Sequence, residues 1–142
     1  SVVRWTLMGL GAIMIAAVWT DNYLLRPPVP TVFSSLAEVT SPDGLLRAAA
    51  YETRRTVNGI TTCMIHLFVV ARAEGSNPVD WDEGDRVLAA ECDVLGIDRM
   101  HELVSWSAPD ALAVQLPVLR GGMSFRERAK NSEVRIAYSL LQ

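Results

Sequence analysis

The sequence is poor in lysine, histidine and cysteine, and it lacks the motifs by which most enzymes are recognised. Lys130 is the only lysine among 13 basic residues, and the net charge of −3 gives the chain no general attraction for nucleic acid. No CxxC pair, cysteine–histidine cluster, phosphate-binding loop, dinucleotide fingerprint or Ser/His/Asp order occurs. The sequence therefore predicts a protein that is not an enzyme, holds no cofactor and binds no nucleic acid.

The longest feature that is present is an apolar run near the start of the sequence. Residues 5–20 carry no charge and no proline. At about 1.5 Å per residue, a helix over residues 5–23 is on the order of 27 Å long, close to the roughly 30 Å of a bilayer's hydrocarbon core. A cleaved signal peptide, a buried core helix and an interfacial helix are the alternatives, but no small-x-small cleavage site follows the run, and the run lacks the charged face of an interfacial helix. The run therefore predicts a transmembrane helix.

The residues within this run fit a span that packs against other helices. Trp5 lies at one end, and Trp19 and Tyr23 lie at the other, as is typical of side chains that anchor a span at the two interfaces. Small residues at spacings of three and four form a face that another helix can approach closely: Gly9, Ala12 and Ala16. The predicted partners are the lipid bilayer and other membrane protein subunits, bound through this helix and the domain that follows it.

The flanking residues indicate an orientation and a domain division. Arg4 precedes the run and Arg26 soon follows it, a slight bias that favours the outer or periplasmic side for the main domain. The predicted localisation is single-pass, in a bacterial inner membrane or an organellar inner membrane. From Arg26, the stretch "RPPVPTVF" reads as a stiff extended connector. We therefore divide the chain into an anchor (1–25), a proline-rich connector (26–40) and a domain (41–142).

Residues 41–142 show a pattern that favours helices. Ser41, Pro42 and Asp43 form a helix-start signal. Apolar residues then recur mostly every three or four positions: Leu46, Ala50, Val57, Ile60, Met64, Leu67 and Ala71. We find no period-two series typical of strands. The predicted fold class is all-α: a single N-terminal transmembrane helix followed by a small extramembrane helical bundle.

Two cysteines and one histidine are the residues of this sequence that come closest to a catalytic set. Cys63 and Cys92 are 29 positions apart in apolar stretches, where a buried free thiol is the commoner outcome; a disulfide needs an oxidising compartment. His66 lies three residues after Cys63, which would place both on one helical face as a nucleophile–base pair. A histidine packed in the core is the more economical interpretation, because no glycine-rich oxyanion turn accompanies it.

The acidic stretch "DWDEGDRVLAAE" is the candidate metal site, with Asp80, Asp82 and Glu83 as possible ligands. Its acids partly follow the spacing of a calcium-binding loop, but glycine comes one position early and Arg86 takes a ligand position. The alternative is an acidic first turn of a helix, which the helix dipole favours.

Residues 69–97 resemble the tellurite-resistance TerB-like domains. Ala73-Glu74-Gly75 matches the turn of their helix–loop–helix, Asp82-Glu83 the acidic pair, and Leu95-Gly96-Ile97 the end of the second helix. The loop is longer than in that family, and Glu74 stands where aspartate is usual. The resemblance implies an all-helical, mostly non-enzymatic module that is associated with membrane stress systems and binds metal at acidic residues.

Two functions follow as hypotheses. The first is a non-catalytic, single-pass accessory or structural subunit of a larger membrane protein complex, with a respiratory or photosynthetic electron-transport complex as one host. The second is a membrane-tethered TerB-like sensor or binding module with an acidic metal-binding loop.

Overall fold

Two β-sheets make up most of the protein. The computed structural model describes residues 31–93, 95, 99–117, 123–130 and 133–141. Strands account for 61% and helical turns for 11% of these residues. The predicted all-α fold class is therefore wrong, and the helical bundle assigned to residues 41–142 is replaced by strands.

The larger sheet, sheet A, has five antiparallel strands in the order β1-β2-β3-β4-β7. Strands β2 and β3 are its long central pair, joined by a two-residue turn at Asn58 and Gly59, both with positive φ. That conformation suits a hairpin turn and explains why Asn-Gly occurs there. The strand bounds are β1 Val32–Thr40, β2 Leu46–Val57, β3 Ile60–Ala71, β4 Arg86–Glu91 and β7 Ser124–Phe125.

The smaller sheet, sheet B, has four strands in the order β5-β6-β9-β8, with β6 and β9 parallel. Its strands are β5 Val104–Ala108, β6 Ala111–Leu116, β8 Arg128–Ala129 and β9 Val134–Leu140. Two 3-10 turns, Pro78–Asp80 and Glu83–Asp85, lie between β3 and β4, and a four-residue helix α1, Met100–Leu103, precedes β5.

One apolar core is shared by the two sheets. Alternate residues of the strands of sheet A and sheet B contribute to it, because successive side chains of a strand point to opposite faces. Among its fully buried members are Ile65, Leu67 and Leu88 from sheet A and Leu112, Val114 and Val134 from sheet B. Sheet A is unusual in that its other face is also apolar in part: Ala49, Tyr51, Phe68, Val70 and Trp81 form a second buried cluster.

The two apolar faces of sheet A explain why the spacing of apolar residues in 46–71 predicted a helix. In a strand buried on both faces the period-two pattern disappears, and a continuous apolar run is left. In β3 the five consecutive residues from Leu67 to Ala71 are all buried or partly buried. Asn58-Gly59, within the run of residues for which we predicted helix, is the turn that separates two strands.

The predicted single-pass membrane localisation is also corrected. In the part of the chain that the structure describes, no helix combines the length and the apolar character that a bilayer crossing requires. The residues from which that prediction was made lie outside the described residues: Trp5, Gly9, Ala12, Ala16, Trp19 and Tyr23. Strand β1 takes up most of the segment assigned to the connector, residues 26–40.

Candidate functional site

Five rings lie together on the face of sheet A that points away from the shared core, and we call them the aromatic face: Phe33, Tyr51, His66, Phe68 and Trp81. The ring of Tyr51 contacts all the others, with centroid distances of 5.3 to 5.9 Å. It stacks on His66 and meets Trp81 edge-on at 70°. These are the arrangements that aromatic quadrupoles favour, so Tyr51 organises the face.

Strand register brings these rings together. Tyr51 of β2 is paired with His66 of β3, and Ala49 is paired with Phe68, so the rings of β2 and β3 lie side by side. Trp81 comes from the loop between the two 3-10 turns and packs on both Tyr51 and Phe68. The aromatic face is thus built from four segments of the chain: β1, β2, β3 and the loop that carries Trp81.

Arg47 fixes the loop that carries Trp81. Its guanidinium lies 5.5 Å from the centre of the Trp81 ring, a cation–π distance. The same group donates to Glu38 Oε1 at 2.8 Å and to the carbonyl oxygens of Glu74 and Gly75 at 2.9 and 3.1 Å. Trp81 Nε1 also donates to the Gly75 carbonyl, at 2.7 Å. These contacts hold the indole, which is 8% exposed, against the sheet.

Burial keeps the titratable rings of the aromatic face uncharged near neutral pH. Desolvation lowers the pKa of His66 from 6.5; the Arg86 cation lowers it further, and the Glu83 carboxylate opposes the shift. Desolvation likewise raises the pKa of Tyr51 to about 12. His66 Nε2 is 3.0 Å from Thr53 Oγ1, whereas its Nδ1 is buried with no hydrogen-bond partner among the described residues. The aromatic face therefore carries no charge on its rings near neutral pH.

A groove opens between the aromatic face and strand β1. Its volume is about 340 Å³, and its walls are Phe33, Ala49, Tyr51, Pro78 and Trp81, with Ser35, Glu38 and Ser76 as polar members. That volume is near the lower end for small-molecule sites and suits one or two side chains. The accessible charge at the rim is negative, because the Glu38 side chain is 51% exposed and that of Arg47 only 12%.

The strand beside the groove has a free edge. In the described part of the chain, β1 pairs on one side only, with β2. Near the far end of β1, Trp106 Nε1 donates to the Val39 carbonyl at 2.8 Å, so this carbonyl already has a hydrogen-bond partner. The first four residues, 32–35, are all exposed, and they include Val32 and Phe33. We call residues 32–35 the open edge.

The candidate metal residues lie on the loop that carries Trp81. Asp80 ends the first 3-10 turn, while Asp82 and Glu83 begin the second. Asp82 Oδ1 accepts a hydrogen bond from the Gly84 amide at 2.8 Å, the usual role of an acid at the start of a helical turn. Metal binding by the three carboxylates stays a prediction. Within residues 69–97, for which we predicted a TerB-like helix–loop–helix, the described residues form the end of β3, this loop and β4.

The cysteine and histidine that the sequence placed on one helical face are separated by the sheet. Cys63 is bonded to Cys92 in a disulfide, so the expectation of free thiols is wrong. Because residues 63 and 66 are an odd number of positions apart on β3, they point to opposite faces of sheet A. The structure therefore does not assemble the nucleophile–base pair.

Sequence reasoning missed the open edge and the groove. The one local signal was Asn58-Gly59, a strong hairpin indicator that sets the register of β2 against β3. No family model, no curated protein and no solved structure matches this chain.

Proposed function

We propose that this protein is a non-catalytic accessory subunit of a larger protein assembly and that it holds a partner subunit by strand addition. An extended segment of the partner pairs with the open edge of β1, and one apolar side chain of that segment enters the groove. The observation that carries the proposal is the four-residue edge, which no other described strand pairs with, directly beside an aromatic groove. Main-chain hydrogen bonds then supply affinity, and the groove supplies specificity.

The chemistry of the edge supports a protein partner. Soluble β-proteins normally protect free edges with charges, proline or a covering element. Here residues 32–35 carry no charged side chain, and the exposed Val32 and Phe33 add apolar surface. An edge of this kind pairs readily with another strand.

The charge at the rim of the groove indicates which residue types the partner segment carries. Glu38 presents an exposed carboxylate at the groove, and the cation that pairs with it, Arg47, is nearly buried. A basic residue near the inserted apolar side chain is therefore complementary to the rim. The expected partner segment is extended, with an apolar residue followed or preceded closely by arginine or lysine.

Site-specific photocrosslinking tests this proposal. A photoreactive phenylalanine analogue is placed at Phe33 in the full chain, in cells of the source organism. The matched control is Phe125, which has nearly the same exposure (40% against 41%) but lies on the opposite edge strand of the same sheet. We expect one dominant protein adduct from position 33 and none from position 125, and a clearly lower yield with Glu38→Gln. Equal adducts at both positions, or none at position 33, would contradict the proposal.

A further inference from the structure

A second cluster of functional side chains lies on the core-facing side of sheet A, away from the open edge. Glu52, Cys63 and Cys92 each offer one ligand atom, and these atoms all lie within 4.8 Å of one another. Glu52 belongs to β2, Cys63 to β3, and Cys92 directly follows β4. Two adjacent strands and the residue that follows the next one thus place one potential metal ligand each at a common place.

The disulfide holds this cluster together in the oxidised protein. The Cα atoms of Cys63 and Cys92 are 5.5 Å apart, within the range for a disulfide, and the Cys92 amide donates to the Cys63 carbonyl at 3.2 Å. Because backbone pairing of β3 and β4 fixes this separation independently of the sulfur–sulfur bond, the two thiols stay neighbours after reduction.

Glu52 is the uncommon member of the cluster. Its side chain is only 9% exposed, and burying a carboxylate is costly unless it is paired. Arg54 Nε donates to Glu52 Oε1, but the arginine side chain itself is 55% exposed. Arg54 is the one cation paired with this carboxylate in the described residues, and one Glu52 oxygen lies within 4.8 Å of both sulfurs.

We propose that reduction of this disulfide creates a zinc site with the two thiolates and the Glu52 carboxylate as ligands. A dithiol reductant breaks the Cys63–Cys92 bond, transfers two electrons and two protons to give two thiols, and forms its own disulfide. Binding of Zn²⁺ then releases the two thiol protons, and two Zn–S bonds and one Zn–O bond form. The proposal is independent of strand addition at the open edge.

The geometry and charge of the cluster suit this ion. With Zn–S bonds of about 2.3 Å, two thiolates on one tetrahedral zinc are roughly 3.8 Å apart, a spacing that side-chain rotation reaches without moving the strands. Two thiolates and one carboxylate carry three negative charges, which Zn²⁺ and Arg54 neutralise together. Soft thiolate ligands also favour Zn²⁺ over Mg²⁺ or Ca²⁺.

The fourth position of such a zinc ion faces solvent. A cleft of about 470 Å³ opens beside the cluster and is lined by Arg54, Cys63, Cys92 and the acidic pair Glu91 and Asp93, among others. The cleft gives an ion a route to the sulfurs, and its two carboxylates attract cations. A site with three protein ligands and an open position is the type that keeps a bound water.

Titration with Co²⁺, which reports tetrahedral thiolate coordination by its absorption bands, tests the assignment. The full chain is reduced with a phosphine, which leaves no competing thiol, and circular dichroism follows its fold. We expect one Co²⁺ per chain with thiolate-to-cobalt bands, displaced by Zn²⁺. The oxidised protein and the Cys63→Ser/Cys92→Ser variant should show none of these bands.

Substitutions of Glu52 and Glu91 separate the site from general attraction by the cleft, because Glu91 lines the cleft but is not one of the three clustered residues. Glu52→Gln should weaken Co²⁺ binding by more than about tenfold, because even outer partners of metal ligands contribute about 10- to 100-fold. Glu91 lines the cleft, and Glu91→Gln should leave the affinity for Co²⁺ within about twofold of that of the unsubstituted protein. The proposal is overturned by absence of the bands in the reduced protein, folded or not, or by equal effects of the two substitutions.

Discussion

The disulfide between Cys63 and Cys92 gives the most direct quantitative prediction for the stability of the fold. It closes a loop of 29 residues between two paired strands. In the chain-entropy relation, a loop of this length removes about 12 cal/mol/K from the unfolded chain, or about 3.6 kcal/mol at 25 °C. We therefore expect the reduced protein to be less stable than the oxidised one by about 3 to 4 kcal/mol in the absence of metal.

Urea unfolding followed by circular dichroism measures this difference. With a slope of about 2 kcal/mol/M, the unfolding midpoint should fall by roughly 1.8 M on reduction. The Cys63→Ser/Cys92→Ser variant is the control, since reductant should leave its midpoint unchanged and close to that of the reduced protein. The reduced domain should remain folded in water, because small domains have about 5 to 15 kcal/mol of stability.

The result that refutes this reasoning is a midpoint shift well below about 0.5 M on full reduction. Such a result would mean either that β3 and β4 stay partly paired in the unfolded chain, which is then already restricted, or that the disulfide does not form. A free-thiol assay before and after reduction distinguishes these two outcomes.

Three further predictions concern the turns, an ion pair and a buried ring. Gly59→Ala should destabilise the fold by about 1 to 2 kcal/mol in urea unfolding, because Gly59 has φ of +77° and a Cβ there meets nothing within 4 Å, so the backbone alone bears the cost. Gly75→Ala, equally uncrowded but without a positive φ, should leave the midpoint unchanged. Asp85→Ala should cost about 1.5 to 3 kcal/mol, because Asp85 accepts hydrogen bonds from the backbone amide and Nζ of Lys130 at 3.1 and 2.8 Å; no change in midpoint would show that water replaces the carboxylate. Since burial holds the pKa of folded His66 below 6.5, the unfolded chain binds the proton more readily, and the free energy of unfolding should fall as pH drops through 6.5 towards the folded pKa. His66→Gln should remove that part of the pH dependence, and identical slopes in both proteins would contradict it.

Part of this fold was readable in the sequence and was misassigned. Val134, Ile136 and Tyr138 alternate with Arg135 and Ala137, and these residues form β9, whereas we predicted helices in residues 41–142 and found no period-two series. In the same way, Asn58-Gly59 is a hairpin signal, and the structure places it between the two longest strands. In both places we gave more weight to a helical spacing of a few apolar residues than to the shorter strand signal. Pairing within the sheet overrides that local helical preference in the folded protein.

The composition of the aromatic face was visible, but its assembly was not. Tyr51 and His66 are 15 positions apart and become neighbours only through the register of β2 and β3. Trp81 joins them because Arg47 and the Gly75 carbonyl hold its loop against the sheet. A pattern within one segment contains no information on such pairings, since register is decided by contacts between segments.

The sequence alone determined the local features: the Asn-Gly turn, the acids that begin the 3-10 turn at Asp82, and two cysteines with neighbouring apolar residues. Tertiary structure decided which segments pair, and therefore that the open edge lies beside a groove and that Glu52 meets both cysteines. The physical reason is that local signals act over a few residues through backbone sterics and capping, whereas strand pairing joins distant segments. The energy of that pairing comes from cross-strand contacts and burial on both faces of sheet A, which exist only once the chain has folded.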